Sequence, residues 1–427
     1  MRKPLTIAFI SALGTIGALT ATGVGAQDVP IAPFAAVPTE SGNQDLFGAY
    51  EVDADWPKDI ASLPGHEGWT FGAGQGVFAE SPNRIIYLQR GELPNVDEPE
   101  FRLLPDVAPS AGYPNGVWRN ATRAALPANG GTGQIAEDGI TAWIERGGRL
   151  NVDARWEHCI LIFDGEGNVI DAWTQWDSMM QRPHFVTINP YDAEKDVWIV
   201  DDHKHVIHRF TNDGSTLLQT IGTYGEPGAD ETHFNRPTFM AFAPDSSFYV
   251  ADGYNGTRVV KFDKDGNYLT SWGERGTPPN ETRPGYWNNV HGVAIDPETG
   301  RVFVNDRGNR RIQVFDGDGN YLYEWSIGPR PLSVHLIVIP SDRSLWAFDR
   351  VSNKMIKYDL DGNLLYTWGV KGEFPGGFSG VHGISVDQEG NLYLAQVDDK
   401  GGVQKFVPRE GANPDYIVGT PFYSAWE

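Results

Sequence analysis

The stretch NVHGVAID, Asn289 to Asp296, reads as the start of a β-strand with a histidine set just ahead of its apolar alternation. GVHGISVD, Gly380 to Asp387, repeats it almost letter for letter, and RPHFVTIN, Arg182 to Asn189, is a looser third copy. Each copy opens a longer unit. Residues 236–273, 289–326, 330–369 and 380–411 share one plan, and 182–222 precedes them on the same plan. An alternating apolar run meets a turn, a second run ends in Asp, and a third ends in Phe or Tyr. An Asp-Gly-Asn type of turn then leads into a fourth run that closes on Trp-Gly. Period-two alternation, broken by residues that tolerate positive φ, marks short antiparallel strands. Four such strands in a unit of roughly 40–50 residues make the blade of a β-propeller.

Five units of this kind are visible, and a sixth can be assembled from 76–91 and 159–176. The predicted fold is therefore all-β, a six-bladed propeller over 66–427. An insertion at 92–157, rich in Pro, Gly and Asn, splits the assembled blade, and 27–65 reads as an extended lead-in. The N-terminus, MRKPLTIAFISALGTIGALTATGVGAQD, has two basic residues, a short apolar run and small residues up to Ala26, which predicts a secretory signal over 1–26 and export to the periplasm or beyond. The run is too short and too interrupted by Gly and Thr for a membrane span, so no membrane insertion is expected. Without Arg2 and Lys3 the chain has 32 basic against 56 acidic residues, a net charge of −24. Such a surface repels nucleic acid, whose binding relies on clustered Lys and Arg. The lone Cys159 leaves no internal disulfide.

The residue just ahead of each unit's first apolar run should face the central channel. Blade by blade, that position reads Gln75, His184, Thr238, His291, Leu332, His382. Histidine recurs in every second blade, so three imidazoles should meet at the axis from three sides. Three imidazoles with one position left open is the layout of a catalytic zinc site, and other divalent transition metals accept the same donors. The denser cluster DDHKHVIH, with His203, His205 and His208, has no counterpart in other units and is read as a surface feature. Blades two to five end their second strand in Asp201, Asp252, Asp306 and Asp349, which we assign to turn capping. Blade one has Arg90 there instead, suited to holding an anion by charge-assisted hydrogen bonds.

With these residues in view, the chain resembles the NHL-repeat propellers and, among them, the peptidyl-α-hydroxyglycine α-amidating lyases. The likeness is carried by HFNRPTFMAFAPDSSFYVADGYNGTRVVKFDKDGNYLTSWGE (233–274) and NDRGNRRIQVF (305–315), and extends over roughly 70–410. The resemblance implies zinc on His184, His291 and His382, an active-site tyrosine at Tyr254, and substrate-contacting arginines at Arg90 and Arg307. It also implies a structural calcium held by the backbone of Val77 and Val186. The aspartate that would complete that calcium set falls on Gly383, so the set is incomplete. The implied activity is the breakdown of a carbinolamide to an amide and glyoxylate, on a small-molecule, carboxylate-bearing substrate. The metal would lower the pKa of the substrate hydroxyl, Tyr254 would accept its proton, and Arg90 and Arg307 would hold a carboxylate or the departing oxygen. Two other readings stand beside this one: another propeller enzyme such as a lactonase or hydrolase, and a non-catalytic NHL-type module that binds protein.

Overall fold

A computed structural model describes residues 36, 46–95, 101–103, 112–114, 152, 154–277, 281–329, 331–398 and 402–421. The signal read over 1–26 and most of the insertion at 92–157 lie outside the described residues. Six four-stranded antiparallel sheets follow one another around a ring. Blade one is Gly74–Ser81, Arg84–Gln89, Ile160–Phe163 and Val169–Ala172, so its second and third strands pair across the insertion as the sequence predicts. Blades two to five follow in chain order from Pro183–Ile188 to Leu364–Trp368, with a short parallel pair, Glu274–Arg275 and Tyr286–Trp287, between blades three and four.

Blade six differs from the sequence reading. Its unit supplies three strands, Val381–Val386, Leu392–Gln396 and Val403–Pro408. The fourth comes from the other end of the chain: Tyr50–Asp53 pairs antiparallel with Val403–Pro408, Tyr50 opposite Pro408 and Asp53 opposite Lys405. The lead-in expected over 27–65 thus contains the strand that closes the ring. Without it, the last blade would present an open edge of unpaired backbone groups.

The repeated sequence features each have a mechanical role. In the Asp-x-x-Gly-Asn turns one carboxylate organises the loop: Asp263 Oδ1 accepts from the backbone of Asp265 at 2.9 Å and Asn267 at 2.8 Å, and Oδ2 accepts from Asn267 Nδ2 at 2.8 Å. The glycine of the next such turn, Gly319, has φ +87, and a Cβ there would lie 2.6 Å from the Trp272 ring of the preceding blade. The Trp that ends one blade therefore packs on the turn glycine of the next. Apolar faces fill the wedges between blades, as where Phe78, Ile86 and Leu88 of blade one meet Val186, Ile199 and Phe210 of blade two. Each such buried side chain stabilises the ring by about 1.5–3 kcal/mol.

One irregularity recurs in all six blades. The pairing of the inner strand with the second strand slips by one residue near its start, between Gly74 and Gly76, Pro183 and Phe185, Pro237 and Met240, Val290 and Gly292, Val334 and Leu336, and Val381 and Gly383. A bulge of this kind leaves one residue unpaired and turns its side chain away from the sheet's alternation. Here it turns that side chain toward the axis.

Candidate functional site

The residues at the slip are Gln75, His184, Thr238 (with Phe239 beside it), His291, His335 and His382. All six are buried. The sequence assignment of blade five to Leu332 is corrected: the slip falls three residues later, on His335, so four histidines and not three alternate ones occupy the ring. None of the six positions is a carboxylate.

Three of the four act together. Among the described residues, His184, His291 and His382 each offer a ring nitrogen within 4.8 Å of the others. Their ring centroids are 4.6–5.5 Å apart. Each Nδ1 faces a backbone carbonyl at the ring position of the next blade: His184 to Thr238 at 3.1 Å, His291 to His335, and His382 to Gln75 at 2.8 Å. A carbonyl oxygen only accepts, so each Nδ1 carries the hydrogen and each Nε2 presents its lone pair inward. Burial, reinforced by the other two imidazoles and by Arg90, pushes His184 well below the ordinary histidine value. Burial and Arg307 do the same to His291. Burial lowers His382 to about 3, although the Gln75 carbonyl opposes it. Protons therefore do not compete for these nitrogens near neutral pH. The donor set fits a transition metal with imidazole preference.

Phe239 and Tyr254 lie against the trio. The Phe239 ring is 5.3 Å from His184, 5.2 Å from His291 and 5.3 Å from His382, and it also lines an apolar cavity shared with Val77, Val186, Ile295 and Ile337. The Tyr254 hydroxyl is 3.1 Å from His184 Nε2 and 2.9 Å from His291 Nε2. Tyr254 reaches there because Gly253 is squeezed against the neighbouring blade: a Cβ on Gly253 would lie 1.3 Å from the Val290 carbonyl oxygen. That closeness explains the Gly of the Asp-Gly-Tyr stretch.

The backbone explains why the three other sequence-predicted residues share one place. Arg90, Asp202, Tyr254, Arg307, Arg350 and Val397 each donate a backbone N–H to the residue that precedes an inner strand: Ala73, Arg182, Arg236, Asn289, Ser333 and Gly380. They are equivalent positions, one per blade, and Arg90 and Arg307 come from opposite blades. The capping position lies one residue earlier, or two in blade three where Gly253 intervenes, so blade one's counterpart of the four aspartates is not Arg90. Register puts Gln89 and Gln396 opposite the start of the inner strand, where the other blades have Asp201, Asp252, Asp306 and Asp349. Both glutamines cap as the aspartates do: Gln89 Oε1 accepts from Gly72 N at 2.9 Å, as Asp306 Oδ1 accepts from Asn288 N at 2.8 Å.

Arg90 is buried, with its Nε 3.4 Å from the Pro183 carbonyl, and burial beside Arg182 lowers its guanidinium to about 9. The Arg307 guanidinium carbon lies 5.3 Å from the Tyr254 ring centroid. Arg350, at the same ring position, is engaged with Asp398, Nε to Oδ2 at 2.7 Å.

Sequence reasoning missed two arginines. Arg182 and Arg236 also face Tyr254, at 5.4 and 4.4 Å from its ring centroid, and both bind Asp202. Their signal was present in the recurrence of Arg-Pro two residues ahead of a channel position. The cluster of His203, His205 and His208, expected at the surface, is buried instead. Its members separate: His208 Nδ1 meets Thr220 Oγ1 at 2.9 Å, and His205 Nδ1 accepts from Arg236 N at 3.1 Å. Val77 and Val186 line one cavity, but the set expected for calcium stays without its carboxylate at position 383. A Cβ on Gly383 would lie 2.8 Å from Gly76 Cα and 2.9 Å from Val77 N, leaving no room for a carboxylate. Among the described residues no acidic one lines the cavity that Val77 and Val186 share.

A second group near enough to hold an ion is His66, Glu92, Glu157 and His158. Glu92 is fully buried between His66 Nδ1 at 2.9 Å and His158 Nδ1, with Arg155 Nη1 3.4 Å from His66 Nδ1. These groups satisfy one another, and they tie the residues before blade one to the end of the insertion.

No protein-family model matches the chain. Over 168 residues it is 35% identical to peptidyl-glycine alpha-amidating monooxygenase A of Xenopus laevis, covering 39% of this chain and 17% of that protein. Over 175 residues it is 33% identical to NHL repeat-containing protein 3 of Mus musculus, covering 39% of this chain and 48% of that one. The chain is a six-bladed β-propeller, similar in sequence to NHL-repeat proteins. This propeller is also 30% identical over 139 residues to peptidyl-alpha-hydroxyglycine alpha-amidating lyase 1 of Drosophila melanogaster, covering 31% of the chain and 25% of the relative. The matched stretch spans less than half the length of each of these relatives. A solved streptogramin B lyase is matched with a TM-score of 0.45 at 13% identity, over 84% of this chain and 98% of that one. Among the described residues no helix is long and apolar enough to cross a membrane.

Proposed function

We propose that this propeller is a metal-dependent lyase that splits an α-hydroxylated amide, or a similar geminal adduct, into an amide and an aldehyde product of the glyoxylate type. One observation carries the reading: the Tyr254 hydroxyl stands 3.1 and 2.9 Å from the inward nitrogens of two of three converging imidazoles. The chemistry of the lyase-named relatives is consistent with it. A divalent metal on His184, His291 and His382, zinc by the preference of an all-imidazole set, would supply Lewis-acid polarisation of the substrate hydroxyl.

The remaining work falls to the chain. Arg90 and Arg307, without a carboxylate partner among the described residues, hold the carboxylate on the carbinol carbon by charge-assisted hydrogen bonds. That fixes the carbinol hydroxyl beside Tyr254. The phenol accepts the hydroxyl proton and gives its own hydrogen to the amide nitrogen. The O–H electron pair becomes the second C–O bond as the C–N bond breaks, so R-CO-NH-CH(OH)-COO⁻ yields R-CO-NH₂ and OHC-COO⁻ with atoms and charge balanced. Phe239, packed against all three imidazoles, shields the polar end of the channel from the apolar cavity. Export, read from the N-terminal segment, belongs to the same proposal.

The test is glyoxylate release from N-benzoyl-α-hydroxyglycine by purified protein, before and after dialysis against a strong chelator, with elemental analysis alongside. We expect one equivalent of zinc and turnover that disappears with it and returns on readdition. Turnover that persists in metal-free protein and in Tyr254→Phe refutes the proposal.

A further inference from the structure

Four guanidiniums, those of Arg90, Arg182, Arg236 and Arg307, gather around Tyr254, and among the described residues a single carboxylate, Asp202, is paired within this group, with Arg182 and Arg236. Asp202 is shared: its Oδ2 lies 2.8 Å from Arg182 Nη1 and 2.9 Å from Arg236 Nη2. Among the described residues three positive charges are left over in a buried pocket of a chain whose net charge is −22. Buried charge without a partner is costly, and a cluster of like charges more so. The carboxylate required by the proposed reaction neutralises one.

The Arg182 and Arg236 side of the pocket has its own signs of a built site. Arg182 Nε, Asp202 Oδ1 and both ring nitrogens of His203 are buried and have no hydrogen-bond partner among the described residues. His203 is only 4% exposed. Burial and the three arginines Arg182, Arg236 and Arg90 hold its imidazole at about 3, against the pull of Asp202, so it is a neutral group with both a donor and an acceptor to offer. Arg236 is held at φ 66, a left-handed conformation that the equivalent position of blade six meets with a glycine, Gly380 at φ 67. A non-glycine residue held there stores strain, and such strain gathers where a side chain must be aimed. Were the pair there only to brace the Tyr254 ring, one arginine on Asp202 would suffice and no charge would remain.

We infer that the pocket recognises a dianion: one carboxylate at the carbinol carbon, met by Arg90 and Arg307, and a second on the acyl side, met by Arg182 and Arg236 with His203 at its edge. The inference rests on the lyase reading of the same site and names its substrate class, an α-hydroxylated amide whose acyl group is itself acidic. Lysine would serve the second subsite less well, since the planar fork of arginine binds a carboxylate through two parallel hydrogen bonds.

The experiment compares N-succinylglycine with N-butyrylglycine, unreactive analogues that differ by a carboxylate in place of a methyl group. Both are titrated calorimetrically into the metal-loaded protein at fixed ionic strength. We expect the dicarboxylate to bind at least about 10-fold tighter, which is about 1.4 kcal/mol. Arg182→Gln and, separately, Arg236→Lys should each remove most of that advantage, with folding checked by thermal melting. Having two variants keeps the test decisive if one of them fails to fold. Equal affinities, no binding of either analogue, or a preference that survives both substitutions overturns the inference. A preference without turnover of any hydroxylated amide keeps the anion subsite and removes the lyase reading. Turnover without the preference does the reverse.

Discussion

Replacing Gly253 by alanine tests how the fold delivers Tyr254 to the imidazoles. The added Cβ would sit 1.3 Å from the Val290 carbonyl oxygen, whereas real Cβ atoms essentially never approach another heavy atom closer than 3.0 Å. The turn and the inner strand of blade four must therefore part by about 1.7 Å. The Tyr254 hydroxyl is next in the chain, and its hydrogen bond to His291 Nε2 is 2.9 Å long. A shift of that size along the contact takes it beyond hydrogen-bond range. Misplacing a reacting group by about 1 Å costs on the order of 10²-fold, so kcat should fall at least about 100-fold, or about 2.7 kcal/mol in the barrier. Stability should fall by about 1–3 kcal/mol, the usual cost of forcing extra volume into a packed site. Glyoxylate release, zinc content and urea unfolding are measured on one preparation, with Tyr254→Phe beside it. The two variants should lose rate to a similar extent while a folded fraction retains metal. A Gly253→Ala protein that turns over at the parent rate would show that this contact does not position the tyrosine.

Three further outcomes are expected. His335→Ala should keep its zinc while His291→Ala loses it, because His335 supplies only its backbone carbonyl to the trio; equal loss in elemental analysis contradicts the assignment. Burial holds His203 at about 3 and His205 and His208 at about 4, against 6.5 in the unfolded chain. Between pH 6.5 and 4 the unfolded chain binds more protons, so stability is intact above pH 6.5 and falls as pH drops through that window. The fall is at most about 1.4 kcal/mol per pH unit for each histidine, and urea midpoints that match at pH 7.5 and pH 5 refute it. Deleting residues 46–53 removes the strand that closes blade six and should leave an aggregating or strongly destabilised protein, seen by size-exclusion chromatography and thermal melting; a monomer with an unchanged melting temperature contradicts that closure.

The blades were legible because each strand alternates with period two and each turn has its own chemistry, and both are local properties of the chain. So was the convergence of His184, His291 and His382, since equivalent positions of a closed ring face one axis. What the sequence hid depends on where each strand begins, to within a few residues, and on contacts between distant segments. Blade five carries the Arg-Pro letters of blades two and three, but its inner strand starts at Val334 and not at that proline, so Leu332 stands outside the strand and the channel residue is His335. A single residue separates Arg90 from the capping place, which belongs to Gln89. The closing strand Tyr50–Asp53 has no blade of its own to mark it, because its partner lies at the far end of the chain. Arg182 and Arg236 look like ordinary loop cations until the ring brings Asp202 and Tyr254 to them. Local alternation and turn chemistry determined the fold; the charge and shape of the pocket came only from tertiary closure, because electrostatic and steric complementarity act through space between residues far apart in the chain.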